Sequence, residues 1–325
     1  MTTFAVTGAG GFIGSHLVER LLRDGHHVRA LVRYSSTSSV GFLEDARERW
    51  SDTLTIEAGA VEDPGCVNRL IEGTDAVLHL AALIGIPYSY VAPHHYVQTN
   101  IVGTINVLDA VRAHGVGRMV HVSTSETYGT AQFVPISEKH PVHAQSPYAA
   151  TKAGADQLAL SYYRSFETPV VVIRPFNTFG PRQSARAFIP TVVTQALSGD
   201  TVKLGAISPR RDLTFVADTV DGMVRGATTP GIEGLEINLG TGISFSIGEV
   251  AERIVAATNP QAQIVHDAER ERPVESEVME LQSDITLARN LLGYDPATTL
   301  DEGLALTIQY VRDNLDRYRV GEYLV

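Results

Sequence analysis

The sequence predicts an α/β fold: a doubly wound parallel sheet with a smaller α/β lobe interleaved with it at the C-terminal end. Three observations predict it. In the first 180 residues short apolar runs alternate with longer stretches of helical period, the order that builds a parallel sheet covered by helices on both faces. A glycine-rich turn, Thr7-Gly8-Ala9-Gly10-Gly11, separates the first apolar run from the first helical stretch. After Pro181 the rhythm changes, and Gly and Pro punctuate shorter elements.

The elements follow in order. Phe4, Ala5 and Val6 form the first strand. Ile13, Leu17, Leu21 and Leu22 recur at helical period across 12–23. Strands are expected at 28–32, 54–56 and 76–82. A helix covers 101–113, a fifth strand 118–123, a long helix 148–166 and a sixth strand 170–173. Ser146 is a natural N-cap for the long helix and Pro147 a natural first residue. Beyond Pro181, 189–197, 246–257 and 304–314 read as helices, and 214–216 and 235–239 as short strands. There is no internal repeat, heptad run or low-complexity tract. Residues 1–180 are read as one domain and 181–325 mainly as the smaller lobe.

Composition narrows the function classes. The 325 residues are 44% apolar, enough for a packed core. Net charge is −11, from 26 basic and 37 acidic residues, which argues against a nucleic-acid partner because phosphate binding needs an excess of Lys and Arg. One cysteine, Cys66, allows no internal disulfide. No apolar run approaches about 18 residues, so no membrane helix is expected. A first strand beginning near residue 4 leaves no signal peptide to be expected. A cytoplasmic setting is expected.

Two local patterns carry chemistry. Gly8, Gly11 and Gly14 are spaced by three between a strand and a helix. That arrangement permits a tight turn, a close backbone approach to a pyrophosphate, and close packing of helix on strand. It marks residues 1–180 as a Rossmann-type dinucleotide-binding domain. At the end of the second strand stand Arg33, Ser35 and Ser36 rather than an acidic residue. A guanidinium cannot accept from ribose hydroxyls but pairs with a 2′-phosphate, so the cofactor leans to NADP over NAD. The second pattern is Tyr148 and Lys152, at i and i+4 on one helix face. An ammonium beside a phenol lowers its pKa from about 10 toward neutrality, making it a base. The fifth strand ends in Ser123-Thr124-Ser125-Glu126. If the chain stays extended there, Thr124 and Glu126 share a face toward the ligand crevice. His94 and His95 are adjacent and diverge on a helix, and no third ligand is signalled, so no metal site is expected. Tyr88 and Tyr90 read as partly core and partly site wall.

Taken together these residues resemble the extended short-chain dehydrogenase/reductase family, within it the sugar-nucleotide 4,6-dehydratases. The matching pieces are TGAGGFIG at 7–14, HLAA at 79–82, TNIVGT at 99–104, STSETYG at 123–129, SPYAATK at 146–152, RPFNTFGPR at 174–182 and RRDLTFVAD at 210–218. Thr-Ser-Glu is similar to the triplet of GDP-mannose 4,6-dehydratases rather than the Thr-Asp-Glu of dTDP-glucose dehydratases. VRALVRYSSTSS, IPYSYVAP and GPRQSARAFIP look most like the amino-sugar branch that acts on nucleotide-linked GlcNAc in legionaminic-acid-type pathways. One departure is Gly59-Ala60, where the family often has Gly-Asp touching adenine; a backbone contact from Val61 takes its place.

The resemblance implies a tightly bound NAD or NADP and a nucleotide-diphosphate sugar substrate. It implies cofactor contacts from Gly8, Gly11, Phe12, Ile13 and Gly14, from Arg33, Ser35 and Ser36, from Val61, Ala81 and Ala82, and from Asn100, Ser123, Tyr148 and Lys152. It implies substrate contacts from Ile86, Ser125 and Asn177, and from Arg182, Arg186, Arg211 and Arg272. In the implied reaction Tyr148 takes the C4 hydroxyl proton while C4 is oxidised. Thr124 bonds the C4 oxygen. Lys152 holds the nicotinamide ribose and tunes Tyr148. Glu126 takes the C5 proton, and with no Asp beside it also protonates the departing C6 hydroxyl. The alternatives are a nucleotide-uronate decarboxylase, with Arg182 or Arg186 on the carboxylate, a 4-epimerase, or, remotely, a non-catalytic dinucleotide sensor. A homodimer is expected, with helices around 95–113 and 148–166 paired across a two-fold axis and Ala149, Ala153 and Leu160 lining the contact.

Overall fold

The computed structural model describes residues 1–271, 275 and 277–318. Its first half lays down six parallel strands. They are β1 (Thr3–Thr7), β2 (His27–Arg33), β3 (Leu54–Gly59), β4 (Ala76–His79), β5 (Arg118–Val122) and β6 (Val170–Pro175). Between them run helices α1 (Phe12–Arg23), α2 (Glu44–Arg49), α3 (Pro64–Ile71), α4 (Ile86–Val91), α5 (Pro93–Tyr96), α6 (Gly103–Ala113) and α7 (Pro147–Phe166). The second half adds β7 (Asn177–Phe179), α8 (Phe188–Ser198), β8 (Thr201–Leu204), β9 (Arg210–Phe215), α9 (Val216–Thr228), β10 (Glu236–Leu239), β11 (Ser244–Ser246), α10 (Ile247–Thr258), β12 (Gln263–His266), β13 (Glu280–Leu281), α11 (Thr286–Leu292) and α12 (Leu300–Asp313).

The main sheet has the order β10-β6-β5-β4-β1-β2-β3, parallel throughout. Chain order reverses between β1 and β4, which opens a crevice beyond the carboxyl ends of those strands. The two-residue strand period splits the core. Phe4 and Val6 pack in the cluster that includes Leu17 and Leu21 of α1 and Val220 and Met223 of α9. Ala5, Val77 and Met119 pack against Val67, Val107 and Leu160 of α3, α6 and α7. Residues after 180 re-enter this body: β10 is its seventh strand and α9 covers the face shared with α1. The rest forms the second lobe, with β9 at the centre of a small sheet and α8, α10 and α12 packed together.

Capping explains the helix starts. Ser146 Oγ accepts from the Ala149 amide at 3.1 Å, with Pro147 leading α7. Asp63 caps α3, and α10 and α12 each begin with a full capping box.

Several expectations change. The strand expected over 76–82 stops at His79, because the amides of Leu80 and Ala81 turn to Thr7 Oγ1 at 3.2 and 3.1 Å. The helix expected from 101 starts earlier, as a π turn over Val97–Val102 that leads into α6. The short strand expected at 214–216 is longer and ends at Phe215; Val216 already begins α9. Helix α9 forms where no helix is expected, although Val216, Val220, Met223, Val224 and Ala227 recur at helical spacing. Its two glycines let the helix pack closely: a Cβ at 222 would sit 2.5 Å from Leu239 Cδ1, and at 226 3.2 Å from Ile173 Cδ1. Ala149 and Leu160, expected at a subunit contact, are buried within their own chain at 1% and 3% exposure. Leu160 belongs to the core under α7, while Ala153 is half-buried. No helix among the described residues is long and apolar enough to cross a membrane.

Candidate active site

The crevice at the sheet's switch point continues into the second lobe as one cavity of about 1020 Å³, at the upper end for a small-molecule site. Its first wall is the glycine loop. Gly8 adopts φ +69°, and a Cβ there would stand 2.8 Å from the Ala81 amide. A Cβ at Gly14 would stand 2.2 Å from the Gly8 carbonyl oxygen. Helix α1 has Gly11 at its N-cap, and no side chain caps its first amides, so they and the partial positive charge are left for an anion. Gly8, Gly11, Phe12, Ile13, Gly14, Arg33, Ser35, Val61, Ala81, Ala82 and Ser123 all border the cavity. A loop with no room for side chains, at an uncapped helix start, fits a dinucleotide.

The second wall is the end of β5 and the start of α7. Thr124, Ser125, Glu126, Tyr148 and Lys152 line it. The Tyr148 hydroxyl hydrogen-bonds the Thr124 side chain, and Thr124 Oγ1 accepts from the Glu126 amide at 3.3 Å. The chain does not stay extended here. Ser125–Tyr128 form a 3₁₀ turn capped by Thr124, so Glu126 reaches the cavity from a turn rather than by strand alternation. Lys152 Nζ donates to the Val122 carbonyl at 2.7 Å. Burial pulls the ammonium's pKa down to about 8, opposed by Asp156.

Tyr148 corrects an expectation. Its phenol stands above the ordinary tyrosine value, not below it. Burial is the leading cause; the hydrogen bond with Thr124 lowers it, and the charges of Glu126 and Asp156 raise it again. At 7% exposure, the lost hydration of a phenolate outweighs an ammonium whose bond is to strand β5.

The second lobe closes the cavity. Ile86, Asn177, Arg186 and Arg211 line it. Asn177 Oδ1 is buried without a hydrogen-bond partner in the protein, which leaves an acceptor for a ligand. Arg211 Nη2 lies 3.0 Å from Glu277 Oε1, also on the wall.

Other candidates lie elsewhere. Arg182 does not border the cavity. Its Nη2 pairs with Glu19 at 2.6 Å and its Nη1 donates to Ser15 Oγ at 3.1 Å, so it ties its loop to α1. Asn100 also stands behind the wall. Its Oδ1 accepts from the Leu83 amide at 2.8 Å, and its Nδ2 donates to Leu83 O and Thr151 Oγ1, each at 3.0 Å, so it holds the 80–85 segment in place. Ser36 is exposed and outside the lining, unlike Ser35. Arg272 lies outside the described residues. Tyr88 packs beside Tyr96 without lining the cavity, and Tyr90 is exposed.

Sequence reasoning missed Tyr96, Glu62, Gln183, Arg270 and Glu277. Tyr96 meets the Tyr148 ring edge-on at 6.3 Å and donates to the Gly85 carbonyl. The others border the cavity, but nothing in their local patterns distinguishes them from surface residues.

Residues 5–307 match the family model described as GDP-mannose 4,6 dehydratase. A UDP-glucose 4-epimerase of Mycolicibacterium smegmatis is 36% identical over 315 residues, 95% of this chain and 98% of that protein. A dTDP-glucose 4,6-dehydratase of an Actinoplanes species is 33% identical, over 95% and 97%. Among solved structures, the dTDP-glucose 4,6-dehydratase DesIV of Streptomyces venezuelae with NAD bound superimposes with TM-score 0.86. It is 29% identical and covers 98% of this chain and 99% of that one. The UDP-glucuronic acid 4-epimerase of Bacillus cereus, solved with UDP-glucuronic acid and NAD, gives TM-score 0.88. It is 28% identical, over 96% and 99%.

Proposed function

This chain belongs to the GDP-mannose 4,6-dehydratase family, and from that premise we propose that it is an NAD(P)-dependent nucleotide-sugar 4,6-dehydratase. It converts an NDP-hexose or NDP-GlcNAc to the 4-keto-6-deoxy sugar. The observation that carries the reading is Glu126. A carboxylate on the cavity wall beside Thr124 and Tyr148 has a task in elimination and none in simple 4-epimerisation.

The glycine loop and the α1 amides hold the dinucleotide's pyrophosphate, with Arg33 and Ser35 at its adenosine end. Bound there, the cofactor supplies a reversible oxidant for C4. Tyr148 accepts the C4 hydroxyl proton in its ionised form, which must be reached against the cost of burial, and Thr124 beside it orients that hydroxyl. Once C4 is a ketone, the C5 hydrogen is acidic. Glu126 removes it and returns a proton to the C6 hydroxyl as water leaves; the resulting C5=C6 bond would then take back at C6 the hydride removed from C4, and a solvent proton at C5, so that the cofactor is not consumed. A positive Lys152 favours the ionised Tyr148. Asn177, Arg186 and Arg211 receive the sugar and its diphosphate, a task suited to arginine's fork. Arg33 leans the cofactor to NADP. Two subunits pair through the α6 and α7 faces, a dimer that light scattering at assay concentration tests.

Product mass tests the function. Incubation with a panel of nucleotide sugars is expected to yield a product lighter by one water. Loss of carbon dioxide indicates a decarboxylase and no change of mass an epimerase; either refutes the reading.

A further inference from the structure

Beneath the cavity floor lies a set of buried charges that the proposed reaction does not use. Asp156 sits one helical turn beyond Lys152 on α7 and is 0% exposed. Its Oδ2 accepts from Ser123 Oγ at 2.7 Å and from Arg174 Nε and Nη2 at 3.1 and 2.9 Å. Its Oδ1 lies 3.2 Å from His121 Nε2. Arg174 is 1% exposed on β6, and it also pairs with Glu236 of β10 and donates to the Tyr128 hydroxyl at 3.0 Å. The carboxylate is therefore clamped from β6 and from the end of β5 at once. Burial alone would favour its neutral form, but His121, Arg174 and Lys152 outweigh that and hold it below the usual aspartate value.

Lys152 needs such a neighbour. A buried ammonium loses its hydration, and its hydrogen bond to the Val122 carbonyl supplies only a partial charge. The groups facing this region are His121 from β5, His79 from β4, Arg174 from β6, Glu236 from β10, Tyr148 on α7, Tyr96 from α5, and Glu126 and Tyr128 from the 3₁₀ turn. Burial pulls both histidines below the ordinary imidazole value, so they are neutral at pH 7. Asp156, one turn along α7 and buried with it, is the carboxylate whose charge favours the Lys152 ammonium without a direct ion pair.

We propose that Asp156 is a positioning residue for the reaction: a counter-ion locked by Arg174 that keeps Lys152 protonated inside the site. The proposal rests on the assignment of Lys152 and Tyr148 given above. The bonds from Arg174 keep that carboxylate ionised and in one orientation. The sign follows from charge. Without the Asp156 anion the ammonium is less favoured, so Lys152 deprotonates at lower pH and activity is lost first on the alkaline side.

The chain contains three lysines, Lys139, Lys152 and Lys203, so Lys152 can be followed by NMR in protein labelled with ¹³Cε-lysine, with Lys152→Met to assign it. In Asp156→Asn the Lys152 midpoint is expected to move down by about one pH unit, a tenfold loss of the protonated fraction above the midpoint. The alkaline limb of kcat/KM should move with it. An unmoved midpoint, or a fall in turnover that is equal at every pH, overturns the proposal. If Asp156→Asn leaves Arg174 too strained to fold, Asp156→Asn with Arg174→Gln removes both charges, leaving only the part-exposed Glu236 without its partner, and is expected to show a smaller displacement in the same direction. Tyr148→Phe separates the two readings: full turnover in that variant defeats the site assignment, while the Lys152 midpoint still decides the role of Asp156.

Discussion

Arg182→Asn is expected to cost stability and leave substrate handling almost untouched, the reverse of what its position in the RPFNTFGPR segment implies. Asparagine suits the test because residue 182 has φ +71°, a left-handed conformation that Asn tolerates better than most residues. The substitution removes the 2.6 Å contact with Glu19 and the 3.1 Å bond to Ser15. The two ion-pair side chains are 18% and 12% exposed, so their interaction exceeds the roughly 0–1 kcal/mol of a surface pair. It falls short of the roughly 3–5 kcal/mol of an orphaned buried ion, because Glu19 keeps Arg23 at 2.7 Å and Ser15 keeps the Phe12 carbonyl at 3.0 Å. A loss of about 1.5–2 kcal/mol follows, the scale for a hydrogen bond to a charged group. At about 2–3 °C per kcal/mol for a chain of this size, Tm should fall by about 3–6 °C. Differential scanning calorimetry on cofactor-loaded protein measures the shift, and initial rates measure KM, expected within about twofold of wild type because the residue lies off the cavity wall. An unchanged Tm with KM raised tenfold would show that Arg182 meets the substrate and that the contact with α1 is incidental.

Four further outcomes follow from the site. Tyr148→Phe should fold and retain its cofactor, but turn over roughly 10²-fold more slowly, the scale for a lost general base; near-normal rates remove Tyr148 from the mechanism. Glu126→Gln should still oxidise C4, seen as reduced cofactor by absorbance, yet fail to exchange the C5 hydrogen with deuterated solvent; wild-type exchange assigns the C5 base elsewhere. Gly14→Ala places a methyl 2.2 Å from the Gly8 carbonyl, so purified protein should carry little dinucleotide and lose about 1–3 kcal/mol from overpacking, measured by cofactor content and urea unfolding. Arg33→Asp should move the ratio of NAD to NADP affinity toward NAD by tenfold or more, since it exchanges a phosphate partner for a ribose-hydroxyl acceptor; an unmoved ratio in a binding titration means Arg33 does not face the ribose.

What the sequence alone determined is what depends on neighbours within a few positions. Strand–turn–helix order and the spacing of Gly8, Gly11 and Gly14 specify the loop, because glycines at those points matter through local backbone geometry. Ser146-Pro147 marks the start of α7, and helical pitch then sets Tyr148 and Lys152 on one face. The tertiary structure alone decided where long side chains point and which groups stay charged. Arg182 and Arg186 are four residues apart, yet one pairs with Glu19, 163 positions away, and the other borders the cavity. Asn100 bonds the 80–85 segment rather than facing the cavity because the π turn before α6, which periodicity does not reveal, rotates it there. The protonation of Tyr148 and Lys152 was likewise beyond local reading. It depends on how deeply both are buried, and on Thr124, Glu126 and Tyr96, which other segments bring beside α7 only once the sheet has closed.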